Sequence, residues 1–169
     1  MFAELAMPLF DQLYNFAHWL TQDRSEAEDL VQETYSKALR GFSSFQPGTN
    51  FRAWIYRILR NTFLTSRTGL RAANTPLELD EATEALAMTE TPESIFIDHT
   101  DQKLLRDAID ALPLHYREVL LLCDVEDMSY KEIAETVGIP LGTVMSRLAR
   151  ARGELRKALQ GKLARRSND

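Results

Sequence analysis

The chain has 169 residues, 44% of them hydrophobic and 27% charged, and a net charge of −5 at pH 7, a globular rather than disordered balance that suits one large domain or two small ones. A single cysteine, Cys123, excludes an internal disulfide and a multi-cysteine metal site. The longest apolar run, Val119–Cys123, is far short of the roughly 20 residues a membrane-spanning helix needs.

The N-terminal stretch MFAELAMPLF contains Glu4 and Pro8 and has no basic start, so it does not read as a secretory signal, and a cytoplasmic chain without membrane insertion is expected. Pro8 suits the first turn of a helix. After it Leu9, Leu13, Phe16, Ala17 and Leu20 repeat on one face. Ser25 and Glu28 have the spacing of a capping box. They open a second expected helix, with an apolar stripe of Ala27, Leu30, Val31, Thr34, Tyr35 and Ala38. Residues 1–33 hold one basic and seven acidic side chains.

Residues 34–68 hold six basic side chains and no acidic one. Within them, GFSSFQPGTN (41–50) is rich in turn formers and reads as a loop. Phe51, Trp54, Ile55, Ile58, Leu59 and Phe63 then repeat at helical spacing. On another face of that helix Arg52, Tyr56 and Arg60 follow at i, i+4 and i+8, an arrangement suited to phosphates with an aromatic among them. This half is expected to form a helical domain over 1–68.

Residues 69–99 are acidic, dotted with Thr and Pro, and weakly periodic. They read as a flexible acidic linker with a short helix near 78–88, and Thr91-Pro92-Glu93 could cap the helix after it. From 100 to 169 the pattern is helical again. Leu104, Leu105, Ala108, Ile109 and Leu112 form a stripe ended by Pro113. Val119–Cys123 are apolar over too wide an arc for a surface helix, so this helix is expected at the centre of its domain. The expected fold class is all-α: two small helical domains joined by a linker.

Residues 129–159 are the most informative. Ser129 and Glu132 form a second capping box. Tyr130, Ile133, Ala134 and Val137 share a face, and Gly138 stands where a tight helix exit needs a left-handed residue. Ile139-Pro140-Leu141 make a short turn into a helix from about Gly142 to Leu159. Val144, Leu148, Ala151 and Leu155 face its domain, while Thr143, Ser146, Arg147 and Arg150 are expected to point out. This is a helix-turn-helix, whose second helix enters the major groove. Arg pairs bidentately with guanine, and Ser or Thr bonds a base or a phosphate. Residues 140–169 hold eight basic and two acidic side chains. Two basic blocks suit two contacts with a polyanion, although charge alone also fits solvated helix faces.

AEDLVQETYSKALR (27–40), FRAWIYRILRN (51–61), ALPLHYREVLLL (111–122), SYKEIAETVGIPLGTVMSRLARAR (129–152) and the following LRKAL resemble, in order, the motifs of a bacterial sigma factor of the extracytoplasmic-function (ECF) type. The resemblance covers residues 8–160. It implies an initiation subunit that binds core RNA polymerase and promoter DNA, and the family is typically held by an anti-sigma factor. Asp29, Gln32 and Glu33 match positions that dock onto core polymerase. Phe45 and Asn61 match a pocket for a flipped base of the minus-ten element, beside Arg52, Tyr56 and Arg60. Thr143, Ser146, Arg147, Arg150 and Arg152 match the minus-thirty-five contacts. No cofactor or metal is implied.

A sigma-like decoy that binds only an anti-sigma factor should lack the basic face kept here. An enzyme would need a nucleophile with a base, a metal cluster or a phosphate loop, none of which the sequence offers. Trp19 and Trp54 read as core, Phe42 as folded back onto it, and Cys123 as a small buried apolar residue. The acidic stretches are expected to lie near the basic blocks in the free chain and oppose DNA until core polymerase holds the two domains apart.

Overall fold

The computed structural model describes residues 1–73 and 102–168, and the side chains of 1–66 and 102–161. Within those residues the chain is all-α, with no strand. The first half comprises α1 (Phe2–Ala6), a 3-10 turn (Met7–Leu9), α2 (Phe10–Thr21), α3 (Arg24–Gly41), a second 3-10 turn (Phe42–Ser44) and α4 (Phe51–Ala73). The second comprises α5 (Gln102–Asp110), α6 (Leu114–Asp124), α7 (Tyr130–Val137) and α8 (Leu141–Asn168). The helix expected near 78–88 and the cap at Thr91-Pro92-Glu93 lie outside the described residues. Residues 69–73, expected to begin the linker, continue α4.

Pro8 stands at the start of the first 3-10 turn, where its missing N–H leaves no hydrogen bond unmade. α2 ends on Gln22 in the left-handed conformation, φ 60°, its N–H donating to the His18 carbonyl at 2.8 Å. That exit leaves Asp23 extended, and Asp23 caps α3 by accepting from the Glu26 N–H at 3.0 Å. The expected Ser25–Glu28 box is thus displaced by two residues. Asp is as good an N-cap as Ser, and the chain leaving α2 presents Asp23 first.

Leu13, Phe16 and Leu20 of α2, Leu30 and Val31 of α3, and Ile55, Leu59 and Phe63 of α4 are buried together, as their spacing requires. The Tyr35 hydroxyl donates to the Ala6 carbonyl at 2.7 Å and ties α1 to α3. Burial, with Asp11 nearby, pushes that phenol up to about 12.

α6 is the buried centre of the second half: Val119, Leu120, Leu121 and Leu122 are all enclosed. Arg117 holds α6 to the end of α5 by donating to the Asp110 carbonyl at 3.0 Å. Ser129 caps α7 by accepting from the Glu132 N–H at 3.0 Å. Gly138 ends α7 with φ 78°, where a Cβ would stand 3.2 Å from the Arg57 guanidinium. α8 then runs 28 residues, past the expected end at Leu159, burying Val144, Leu148, Ala151, Leu155 and Leu159. Cys123 is half-buried rather than enclosed. Burial, then the neighbouring Asp124, pushes its thiol up.

The two halves pack directly on one another, α4 along α7 and α2 against α6. Trp19 is half-buried at this junction, with the Arg106 guanidinium of α5 4.3 Å from its ring centre.

Candidate nucleic-acid and docking surfaces

The buried stripe of α3 turns its polar residues outward. Asp29, Gln32 and Glu33 are all exposed. Asp29 and Glu33 border a cleft shared with Thr62, Phe63 and Ser66 of α4. Gln32 lies on the other flank, beside Phe10, Val31 and Tyr35. The three polar groups therefore form a ridge with apolar ground on both sides.

The outward row of α4 has a different fate. Asn50 starts the helix, its side-chain oxygen accepting from the Ala53 N–H at 3.0 Å, while its amide donates to Glu132 at 3.2 Å. Arg52 lies 3.0 Å from the Glu132 carboxylate and also donates to the Glu126 carbonyl at 2.8 Å. The Tyr56 hydroxyl donates to Glu126 Oε1 at 2.6 Å. Arg60 makes a fork on Glu118, with Nε to Oε1 at 2.7 Å and Nη2 to Oε2 at 3.0 Å. Three successive outward residues of α4 thus meet three carboxylates of the second half.

Burial raises the Glu126 carboxyl above its ordinary range, against the opposing pull of the Tyr56 hydrogen bond and Arg52. It also raises the Tyr56 phenol, helped by the Glu126 charge. A group of three or more metal-ligating side chains does not occur among the described residues.

α7, the Gly138 exit and α8 form the helix-turn-helix. Leu141 and Met145 are exposed at the start of α8. Thr143, Ser146 and Arg147 are not: Ser146 is 1% and Arg147 3% exposed. Arg150 is half-buried. Arg152 turns inward, 3.1 Å from Asp124 at the end of α6 and 3.6 Å from the Cys123 sulfur.

Family models for Sigma-70 region 2 and Sigma-70 region 4 match residues 5–72 and 102–155. The chain is 38% identical over 159 residues to the ECF RNA polymerase sigma factor SigE of Mycolicibacterium smegmatis, covering 92% of this chain and 60% of that one. It is 36% identical over 160 residues to the ECF RNA polymerase sigma factor EcfG of Rhodopseudomonas palustris, covering 88% and 86%. The chain belongs to the ECF sigma factors. It is an initiation factor of bacterial RNA polymerase, and its region 4 is a DNA-binding helix-turn-helix. Among solved structures, the sigma factor RpoE of Bartonella quintana in complex with the anti-sigma factor NepR is similar, at 29% identity. The likeness covers 94% of this chain and 98% of that one, with a TM-score of 0.67.

Against the expected sigma-factor sites, the structure keeps the docking triad exposed but departs at several DNA candidates. Tyr56 is fully buried rather than solvent-facing, its ring 5.5 Å from that of Phe16 in α2 and its hydroxyl on Glu126 of the second half. Phe45 is 8% exposed, in an aromatic cluster with Phe42, Phe51 and Trp54 at centroid distances of 5.1 to 5.8 Å. Phe42, expected to fold back, is the less buried of the pair. Asn61 is exposed two turns beyond Trp54, about 10 Å along α4 at 1.5 Å per residue, so it does not adjoin Phe45. The outward pointing expected of Thr143, Ser146 and Arg147 is not seen: all three are buried, on a helix that packs against α5, α6 and α7. Arg152 flanks the core-facing stripe, and the Asp124 carboxylate draws it inward.

Glu118, Glu126 and Glu132 are the functional candidates that sequence reasoning missed. The signal was present for Glu118, an acid directly before the apolar run Val119–Cys123 in a helix expected at a domain centre.

Proposed function

We propose that the chain brings core RNA polymerase to its promoters by dividing the work among three surfaces. The α3 ridge of Asp29, Gln32 and Glu33 docks on core polymerase. The α4 row of Arg52, Tyr56 and Arg60, with Asn61 beyond it and Phe45 in the preceding loop, engages and melts the minus-ten element. The N-terminal half of α8, with Thr143, Ser146, Arg147 and Arg150, reads the minus-thirty-five element. Arg152 supports that helix from behind through Asp124.

The observation that carries this reading is the α4 row. Two guanidiniums and a phenol, aligned at helical spacing in a block without an acidic residue, already hold three carboxyl groups. Guanidiniums fork onto phosphates as they do onto carboxylates. The docking reading is supported by the exposure of all three polar side chains of the ridge. Control by an anti-sigma factor is supported by the likeness to RpoE, which was solved with NepR. The chain contributes no catalytic group of its own and acts in the cytoplasm, beside the polymerase.

In vitro transcription tests the whole reading. Purified core polymerase with this chain, on a fragmented genomic library, should yield start sites that core alone does not produce. Start sites identical with and without the chain would sink the proposal.

A further inference from the structure

We infer that the described arrangement is a self-occluded state, in which Glu118, Glu126 and Glu132 occupy the minus-ten side chains of α4 and exclude DNA until the halves part. The inference rests on the minus-ten reading of Arg52, Tyr56 and Arg60.

The fit is residue by residue. Glu118 and Glu132 take the two guanidiniums, and Glu126 takes the phenol between them. The Arg60–Glu118 fork is the geometry a guanidinium uses on a phosphate, so DNA and region 4 compete for the same donors. Side chains at this seam are largely shut from water: Tyr56 is fully buried, and the Glu118 side chain is 2% exposed.

The contacts are not confined to the carboxylates. Arg57 donates to the Glu135 carbonyl at 3.4 Å and sits against Gly138, at the exit of α7. α7 is the first helix of the helix-turn-helix, so the element that positions the recognition helix is clamped onto the minus-ten face. One interface therefore holds both DNA-reading domains in a relative placement that covers the Arg52–Tyr56–Arg60 row of α4. The α3 ridge is outside it and stays exposed. Core polymerase thus has a foothold on the closed chain while promoter DNA has none on the Arg52–Tyr56–Arg60 row.

The experiment compares the full wild-type chain with Glu118→Gln/Glu132→Gln, free of polymerase. The variant keeps shape but removes the two charges that neutralise Arg60 and Arg52. Small-angle scattering reads compactness, and anisotropy of a labelled mixed-sequence 20-nucleotide single strand reads DNA binding. The variant should expand and bind the strand about tenfold more tightly than wild type, about 1.4 kcal/mol. Adding Arg60→Ala should remove much of that gain.

Glu132→Gln alone, at a half-exposed pair, is the milder variant if the double one loses helicity. It should move both readings the same way by a smaller factor. A folded variant that stays compact and binds no better than wild type overturns the inference, as does a wild-type chain that already binds the strand as tightly. In holoenzyme, Glu118→Gln should open promoters normally while Arg60→Ala impairs opening. If Arg60→Ala opens promoters normally although the latch variants expand the free chain, the minus-ten assignment fails and the occluding contact survives as an interdomain latch only.

Discussion

The outward faces of α3 and α4 are both polar rows on neighbouring helices of region 2, and they end in opposite states. Asp29, Gln32 and Glu33 of α3 stand exposed. Arg52, Tyr56 and Arg60 of α4 are covered by region 4. The difference follows from sign. The acidic halves of the seam come from residues 100–139, which hold nine acidic and four basic side chains, so they attract the basic row and repel the acidic ridge. In one arrangement the ridge proposed to dock polymerase stays available while the row proposed to engage the minus-ten element does not. A charge map thus identifies surfaces that want a polyanion, but not whether the chain supplies one itself.

The largest effect should come from breaking the open side. Asp29→Lys/Glu33→Lys with Gln32→Ala reverses two charges on the ridge and removes its amide. Like-charge juxtaposition at an interface costs several kcal/mol, so core affinity should fall about a hundredfold or more. Compactness of the free chain should not change, because the ridge lies outside the α4–region 4 seam. Core binding at wild-type strength would move the docking site off α3.

Phe45→Ala sharpens the covered side. Its ring is packed against Phe42, Phe51 and Trp54, and removing a buried Phe costs about 3–5 kcal/mol. The urea midpoint of the chain should fall accordingly. A promoter-opening defect in this variant is therefore no proof of a base pocket by itself. The informative variant is Phe45→Leu, which restores most of the apolar volume. If it recovers stability but not permanganate reactivity of the melted strand, the ring acts on DNA as well as on the core. If Phe45→Ala unfolds at the wild-type midpoint, the ring is not part of the core.

Much of this was legible from spacing. The stripes of α2, α3 and α4 buried most of the residues their periodicity selected, leaving Leu9, Tyr35, Trp54 and Ile58 half-buried, and Ser129 and Gly138 bound α7 where their chemistry predicted. What escaped the sequence depended on neighbours distant along the chain. Tyr56 borders the apolar stripe of α4 and packs on Phe16 of α2, but its hydroxyl finds a partner only in Glu126, seventy residues on. The same holds for Arg152, whose direction is set by Asp124. Phe42 and Phe45 are equally aromatic and three residues apart, so the sequence could not rank them. The loop decides, with the Phe45 N–H turning back to the Phe42 carbonyl at 3.0 Å. The cap of α3 moved to Asp23 because Asp23-x-x-Glu26 and Ser25-x-x-Glu28 are overlapping candidates of similar strength.

Arg147→Ala carries the comparison to the second basic block. Arg147 is buried in the closed chain, so a base-reading role requires α8 to present a different surface in holoenzyme. Loss of a bidentate guanine contact costs about 1–3 kcal/mol and relaxes one base position, whereas loss of a phosphate contact weakens all sequences alike. Holoenzyme binding to single-base variants of the upstream element, at two salt concentrations, should show the first pattern for Arg147→Ala. Lys157, exposed further along α8, should show the second on substitution by Ala. An equal loss across every base variant would make Arg147 a phosphate clamp.

The smallest effect concerns the chemistry of the seam. Glu126 faces the Tyr56 hydroxyl and Arg52, with Asp127 adjacent, and burial raises its carboxyl in the closed form above its ordinary value. Closing therefore takes up a proton in the interval between the open-form and closed-form values. The Glu126 contribution to closure is fully present below the open-form value and is lost as pH rises through the closed-form one. Glu126→Gln supplies a permanently neutral group whose carbonyl oxygen can still accept from Tyr56. The pH dependence of compactness, measured by scattering from below the ordinary carboxylate range upward, should be shallower in Glu126→Gln than in wild type. Above the closed-form value, where wild type loses this contribution, the variant should keep it. The comparison isolates Glu126 because Arg52–Glu132 and Arg60–Glu118 are common to both proteins. Identical profiles for the two chains would mean that Glu126 enters the seam ionised, held by Arg52 rather than by loss of its charge.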